Sequence, residues 1–217
     1  MLVAAAVCPP TPLIALQLDD LRSACQAAIA ALRDARPDVL LVVGGAERTS
    51  TYGGRAAGTL RPWGLDVTAG HDEPPVLPLS LTVGRWLLGD RAPDGFQSVA
   101  HDATSKECRL LGERLGKIAD RVALLVMADG SACLSPRAPG KYDDAAKPYN
   151  DLITNAIANA DPGALAALDP AQAERLWVSG RAALQVLAGA AGTRGYAGRL
   201  LMETAPYGVG YFASLWT

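Results

Sequence analysis

The sequence predicts a single α/β domain over residues 1–217, with a mixed, mostly parallel sheet, helices on both faces and a C-terminal antiparallel strand pair. Three observations predict it. The apolar runs at residues 2–7, 39–43 and 122–127 are continuous rather than alternating, the pattern of strands buried on both faces. Between the first two, residues 17–33 repeat apolar side chains at intervals of three and four, so strand, helix and strand form a βαβ unit with a right-handed crossover. Neither an internal repeat nor a low-complexity linker divides the chain, and 50% of it is hydrophobic, enough for one continuous core.

The first strand ends at Pro9, Pro10 and Pro12, which cannot continue a ladder. The helix after it presents Leu18, Leu21, Ala24, Cys25, Ala28, Ile29 and Leu32 on one stripe, with Asp19 and Asp20 at its positive end. Pro37 and Asp38 stop that helix, and the second strand is expected to terminate at Gly44 and Gly45. Residues 47–58 read as a long loop, 59–67 as a short strand, and 68–78, containing His71, as an irregular loop. A helix over 79–88 and a strand over 96–100 precede a helix over 106–118, whose apolar face carries Leu110, Leu111, Leu115 and Ile118. The third apolar strand breaks at Asp129 and Gly130, and residues 131–148 read as a surface loop. Helices over 149–159, 164–167, 171–176 and 182–188, joined by Asp-Pro turns, lead to closing strands at 196–202 and 208–216.

Composition excludes several functions. A net charge of −2 and a pI near 5.7 give no positive field for a phosphate backbone, so no nucleic-acid partner is expected. No apolar run approaches the ~20 residues of a membrane span, and no basic segment precedes the apolar start, so no membrane association and a cytoplasmic location are expected. Cys8, Cys25, Cys108 and Cys133 lack the spacing of a zinc knuckle or redox pair and read as reduced thiols.

The loops at 8–12, 44–49 and 129–133 should meet at the carboxyl edge of the sheet, where open α/β sheets bind ligands. Gly44-Gly45-Ala46-Glu47 lacks the spacing and the lysine of a phosphate-binding loop. Asp129-Gly130-Ser131-Ala132 lacks the first glycine of a nucleophile elbow, although Asp129 with Ser131 is a candidate pair for hydrolase or transferase chemistry. Asp129 suits an acid–base role or a turn cap. His71, beside Asp72 and Glu73, and His101, beside Asp102, read as surface or capping residues, or as metal ligands if their loops fold inward. Glu203 is either an exposed edge carboxylate or a buried one that needs a partner. Arg48, Arg55, Arg137 and Lys141 are solvated loop charges or an anion-binding rim, and Trp63, Trp86, Trp177 and Trp216 are expected in core or interface packing.

Val7-Cys8-Pro9-Pro10-Thr11-Pro12-Leu13, the strand and glycines at 40–45, Met127-Ala128-Asp129-Gly130-Ser131-Ala132 and Ala205-Pro206-Tyr207-Gly208-Val209-Gly210-Tyr211 occur in one order along nearly the whole chain. Together they resemble the catalytic B-subunit superfamily of class III extradiol ring-cleaving dioxygenases (LigB-like), in a short actinobacterial-type branch. The resemblance implies a non-haem Fe(II) site of two histidines and a glutamate at the strand ends, and a further histidine as acid and base on a catechol-like substrate. The positions matching those histidines carry Pro10, Gly44, Gly45 or Ala46, and Ala132, while Glu203 matches the carboxylate. Without the imidazoles iron is too weakly held. The resulting expectation is a degenerate iron site with no bound cofactor, and a cleft of Cys8, Pro10, Gly44, Gly45, Ala132 and Tyr207 that binds a small molecule or another subunit. The alternative is an active dioxygenase with rearranged ligands drawn from Glu203, His71, His101 and Cys8. Oligomers are common in the family, so the resemblance also implies a homodimer.

Overall fold

The computed structural model describes residues 1–70 and 74–217; His71, with Asp72 and Glu73, lies outside the described residues. In chain order the elements are β1 (Leu2–Cys8), α1 (Asp19–Asp34), β2 (Val39–Ala46), β3 (Ser50–Gly53), β4 (Gly58–Thr59), β5 (Thr68–Ala69), α2 (Leu79–Leu87), β6 (Gly95–Ala100), α3 (Ser105–Leu115), β7 (Val122–Met127), α4 (Ala146–Ala158), α5 (Pro162–Ala166), α6 (Pro170–Arg175), α7 (Arg181–Ala191), β8 (Gly198–Thr204) and β9 (Tyr211–Trp216). Seven strands form one sheet in the order β3-β6-β2-β7-β1-β9-β8. Its centre, β6-β2-β7-β1, is parallel, whereas β3 pairs antiparallel with β6 on one side and β9 pairs antiparallel with both β1 and β8 on the other.

Strand alternation sorts the apolar side chains into two cores. Ala4, Ala6 and Cys8 of β1, with Ala123, Leu125 and Met127 of β7, cluster with Leu21, Cys25, Ile29 and Leu32 of α1 and with Leu81 and Val83 of α2. The opposite positions, Ala5, Val7, Leu124 and Val126, cluster with Ile153 of α4 and with Ala183, Leu184 and Leu187 of α7. Both faces are therefore covered, and all four cysteines are buried and free. Among the described residues no helix is long and apolar enough to cross a membrane.

Several elements differ from the sequence expectation, each for a physical reason. β2 does not stop at Gly44 and Gly45: both stay in the ladder, opposite Ser98 and Val99 of β6. A Cβ on Gly44 would lie 2.5 Å from Ser80 Oγ, so the glycine serves close approach of α2 rather than a turn. The loop at 47–58 contains β3, held to β6 by Thr51 Oγ1 donating to Gln97 Oε1 (2.9 Å) as well as by backbone bonds. Residues 59–67 form a 3₁₀ turn at Arg61–Trp63 after the two-residue β4, and not a strand. On α3, Leu111 and Leu115 are buried, but Leu110 is 48% exposed, and Ile118, beyond the helix, is 51% exposed. The segment 131–148 is no simple surface loop, since it buries Ser131, Cys133 and Gly140 and enters α4 at Ala146. The final strand starts only at Tyr211, because Pro206–Gly208 form a 3₁₀ turn with Tyr207 at φ 59°. The Asp-Pro pairs are helix starts: Asp161 accepts the Ala164 N–H at 2.9 Å, Asp169 accepts that of Ala171 at 2.8 Å, and each is followed by proline at the first helical position.

Candidate functional site

β7 leaves the sheet after Ala128, whose N–H donates to Cys8 O (2.8 Å), and the next residue, Asp129, faces the start of α7. Ser179 Oγ donates to Asp129 Oδ1 at 2.6 Å, and the backbone N–H groups of Gly180 and of Asp129 itself also support the carboxylate. These bonds and the positive end of α7 favour the ionised form. Desolvation outweighs them: burial pushes the Asp129 carboxyl up from 3.8 to about 6. Position 180 admits only glycine, because a Cβ there would lie 2.5 Å from Asp129 O and 2.6 Å from its N.

His101 follows β6, its N–H donating to Ala46 O at 2.9 Å. The imidazole lies over Gly45, where a Cβ would be 2.7 Å from Cε1 and 2.9 Å from Nδ1 of His101. Arg181, the first residue of α7, is buried and holds this turn by donating to the carbonyls of His101 and Ala103. Gln185 Oε1 accepts a further bond from Arg181 Nη1 at 3.1 Å.

Between these groups and α6 lies a cavity of about 670 Å³. His101, Asp129, Ser179 and Arg181 line it beside apolar Ala132 and Val178, and Trp177 stands in its wall. Trp177 closes the C-terminus of α6 at φ 51°, with its own N–H donating to Glu174 O (3.1 Å) and the Val178 N–H to Ala173 O (2.8 Å). Glycine normally occupies this left-handed position, and a side chain there costs roughly 1 kcal/mol. The ring is nevertheless 58% exposed. A second cavity, about 530 Å³, shares His101 and adds Gly45, Arg48 and Tyr52.

The structure brings Asp129, Ala132 and His101 to one cavity, and Gly45 with His101 to the other. The remaining candidates lie elsewhere. Cys8 is fully buried on the α1 side of the sheet against Cys25, because alternation turns it away from the α7 face. Pro10 is half-buried and lines neither of these cavities. Gly44 faces α2. Ser131 is fully buried, donating to Leu176 O (2.7 Å) and accepting from the Cys133 N–H (3.0 Å), so its hydroxyl pins the loop and does not meet Asp129 in the cavity. Tyr207 is exposed on the turn before β9. Trp216 is fully buried and Trp86 half-buried, as core packing requires, whereas Trp63 and Trp177 are exposed. Ser179, Arg181 and Trp177 join the site without a strong mark in the sequence. The order Trp177-Val178-Ser179-Gly180-Arg181 between two helices was the available signal, a glycine and a hydroxyl at a helix start.

The iron site that the family resemblance implies can be tested against these donors. Proline at 10 and glycine at 45 supply no side-chain lone pair. Glu203 lies on β8 and accepts from Thr154 Oγ1 (2.8 Å) and Asn150 Nδ2 (3.3 Å) of α4, outside both cavities. Among the described residues no three His, Cys, Asp or Glu side chains gather as a metal-holding group. Among the described residues, then, the donors do not make up a two-histidine, one-carboxylate centre.

Fold and site together define an α/β protein with ligand-sized cavities at the carboxyl ends of its parallel strands. No family model matches the chain, and no curated protein matches it. Among solved structures it is similar to an uncharacterized protein, JW3007, from Escherichia coli K12, with 12% identity, 98% of each chain covered and a TM-score of 0.61. At that identity the likeness establishes the shared fold.

Proposed function

We propose that this chain is a class III extradiol dioxygenase-like protein without the family's iron chemistry, which binds a small organic molecule in the cytoplasm, as a homodimer. One observation carries the reading: the cavity of about 670 Å³ at the end of β7, where Asp129, Ser179 and His101 meet an apolar wall. Its volume lies in the range of about 300–1,000 Å³ typical of small-molecule sites, which likewise combine apolar walls with a few convergent polar groups. The positions that match the family's iron-binding histidines carry Pro10 and Gly44, Gly45 or Ala46, and the one that matches its acid–base histidine carries Ala132, which supports binding without iron. Thermal-shift screening against phenols, catechols, aromatic acids, amines and sugars is the first test, with calorimetry on any hit. Saturable binding that Ala132→Trp abolishes by filling the cavity is expected, and a panel without a single binder defeats the reading.

A second reading has one specific observation in its favour. The ring of His101 occupies the space above Gly45, so an imidazole stands near the corner where the family keeps a ligand. An active dioxygenase with rearranged ligands would retain one Fe(II) per chain in anaerobic titration, lose it in His101→Ala, and consume oxygen with catechols. That result would replace the first reading.

A further inference from the structure

The larger cavity carries more negative than positive charge on its wall. Asp102, Asp129 and Glu174 bring carboxylates to its wall, and the guanidinium there belongs to Arg181. Arg181 is committed to the protein: its terminal nitrogens donate to the carbonyls of His101 and Ala103 and to Gln185 Oε1. The carboxylates of Asp102 and Glu174 are exposed and, among the described residues, have neither a hydrogen-bond nor an ion-pair partner. Three carboxylates against one guanidinium leave this concave, partly apolar space with an excess of negative charge, so an anionic ligand is repelled there and a cation attracted.

The rest of the wall selects shape. Ala132, Ala173 and Val178 offer small apolar surfaces, and Trp177 is presented at a backbone conformation that a tryptophan adopts only at a cost. An exposed indole beside a cluster of carboxylates provides both a stacking surface and a ring face that attracts positive charge. Building on the small-molecule reading above, we infer that the cavity takes an organic cation carried on an aromatic or heteroaromatic ring, its protonated nitrogen toward Asp129 and Glu174 and its ring against Trp177.

Three probes of the same size and different charge test this: tryptamine, the neutral alcohol tryptophol and the anion indole-3-acetate, titrated into the full chain by calorimetry near neutral pH. Tryptamine should bind at least about tenfold more tightly than either of the others. Glu174→Gln should weaken it by about threefold, as befits an exposed charge, and Asp129→Asn by about tenfold, as befits a partly buried one. Trp177→Gly should weaken it by about tenfold. This last variant suits its left-handed backbone and Glu174 is exposed, so both chains should fold even if Asp129→Asn does not. Tighter or equal binding of the alcohol or the acid overturns the inference while leaving a small-molecule site in place. Tryptamine binding that none of the variants alters overturns it as well. Absence of binding by all three probes does the same, and the broader ligand panel then judges the underlying reading separately.

Discussion

Asp129 at the end of β7 and Glu203 on the edge strand β8 are both carboxylates near sheet ends, yet their surroundings separate them. The α7 start covers Asp129 with Ser179 and Gly180, and burial drives its carboxyl up to about 6 despite those hydrogen bonds. Glu203 stays exposed, bonded to Thr154 and Asn150 on the flank of α4. A central parallel strand delivers its last residue into a crevice roofed by a crossover helix, whereas an edge strand delivers its side chain to solvent. The difference marks Asp129 as a place where the fold tolerates an unfavourable environment, a frequent property of functional sites. Four substitutions put the difference between these two acids to the test.

The largest effect is expected from Gly180→Ala. The new methyl would meet the Asp129 backbone O and N at 2.5 and 2.6 Å and Ala128 Cβ at 2.8 Å, none of which can swing aside like a side-chain tip. A loss of about 3 kcal/mol is expected from such overpacking, together with loss of the Ser179 contact and of ligand binding. Urea unfolding measures it, with Gly53→Ala as a control, since nothing lies within 4 Å of that added Cβ. Equal stability of the two variants would show that the Asp129 end is loosely packed, no more roofed than the open edge at Glu203.

Asp129→Asn probes the electrostatic side. The folded chain holds this proton more tightly than the unfolded chain, so between about pH 4 and pH 6 the native state binds more protons and stability falls as pH rises. The rise from 3.8 to about 6 corresponds to an upper bound on the order of 3 kcal/mol above that window. Asparagine cannot ionise, so relative to wild type it should gain about 1–2 kcal/mol at pH 8 over its offset at pH 4, after allowing for its imperfect fit to the donors. Urea midpoints at both pH values measure the difference. An offset independent of pH would mean that burial does not raise the Asp129 carboxyl.

Trp177→Gly should raise stability by about 1 kcal/mol by removing a left-handed non-glycine residue, although the extra freedom of the unfolded chain reduces the gain. Thermal unfolding checks the sign. A loss instead would mean that the exposed ring packs against the cavity wall strongly enough to offset its backbone cost.

The parallel centre of the sheet was legible because its signal is local: residues 122–127 are apolar without interruption, and β7 occupies the same six positions. The helix start at Asp169-Pro170 is equally local in chemistry, though the same pair also fits a turn. The site was only partly legible. Asp129 stood out because a carboxylate directly follows an apolar strand, but its partners Ser179 and Gly180 lie 50 and 51 residues away, and only the crossover brings them together. The exposure of Trp177 was hidden for a different reason: an aromatic residue among apolar neighbours carries no mark of whether its own backbone turns it outward. His101 over Gly45 combines both difficulties, since a missing side chain on one strand and a ring from the next become one feature only when the strands are paired.

The smallest expected effect is that of Glu203→Gln. Thr154 Oγ1 and Asn150 Nδ2 can both donate to the amide oxygen that remains, and the lost charge was in contact with solvent. Stability should change by less than about 0.5 kcal/mol. Ligand affinity should stay unchanged, because Glu203 lines neither cavity at the strand ends. Calorimetry on wild type and variant side by side measures this. A tenfold or greater fall in affinity would mean that β8 contributes to the binding site after all. The edge carboxylate would then stand beside Asp129 in function, and the separation between a roofed crevice and an open edge would no longer decide which acid belongs to the site.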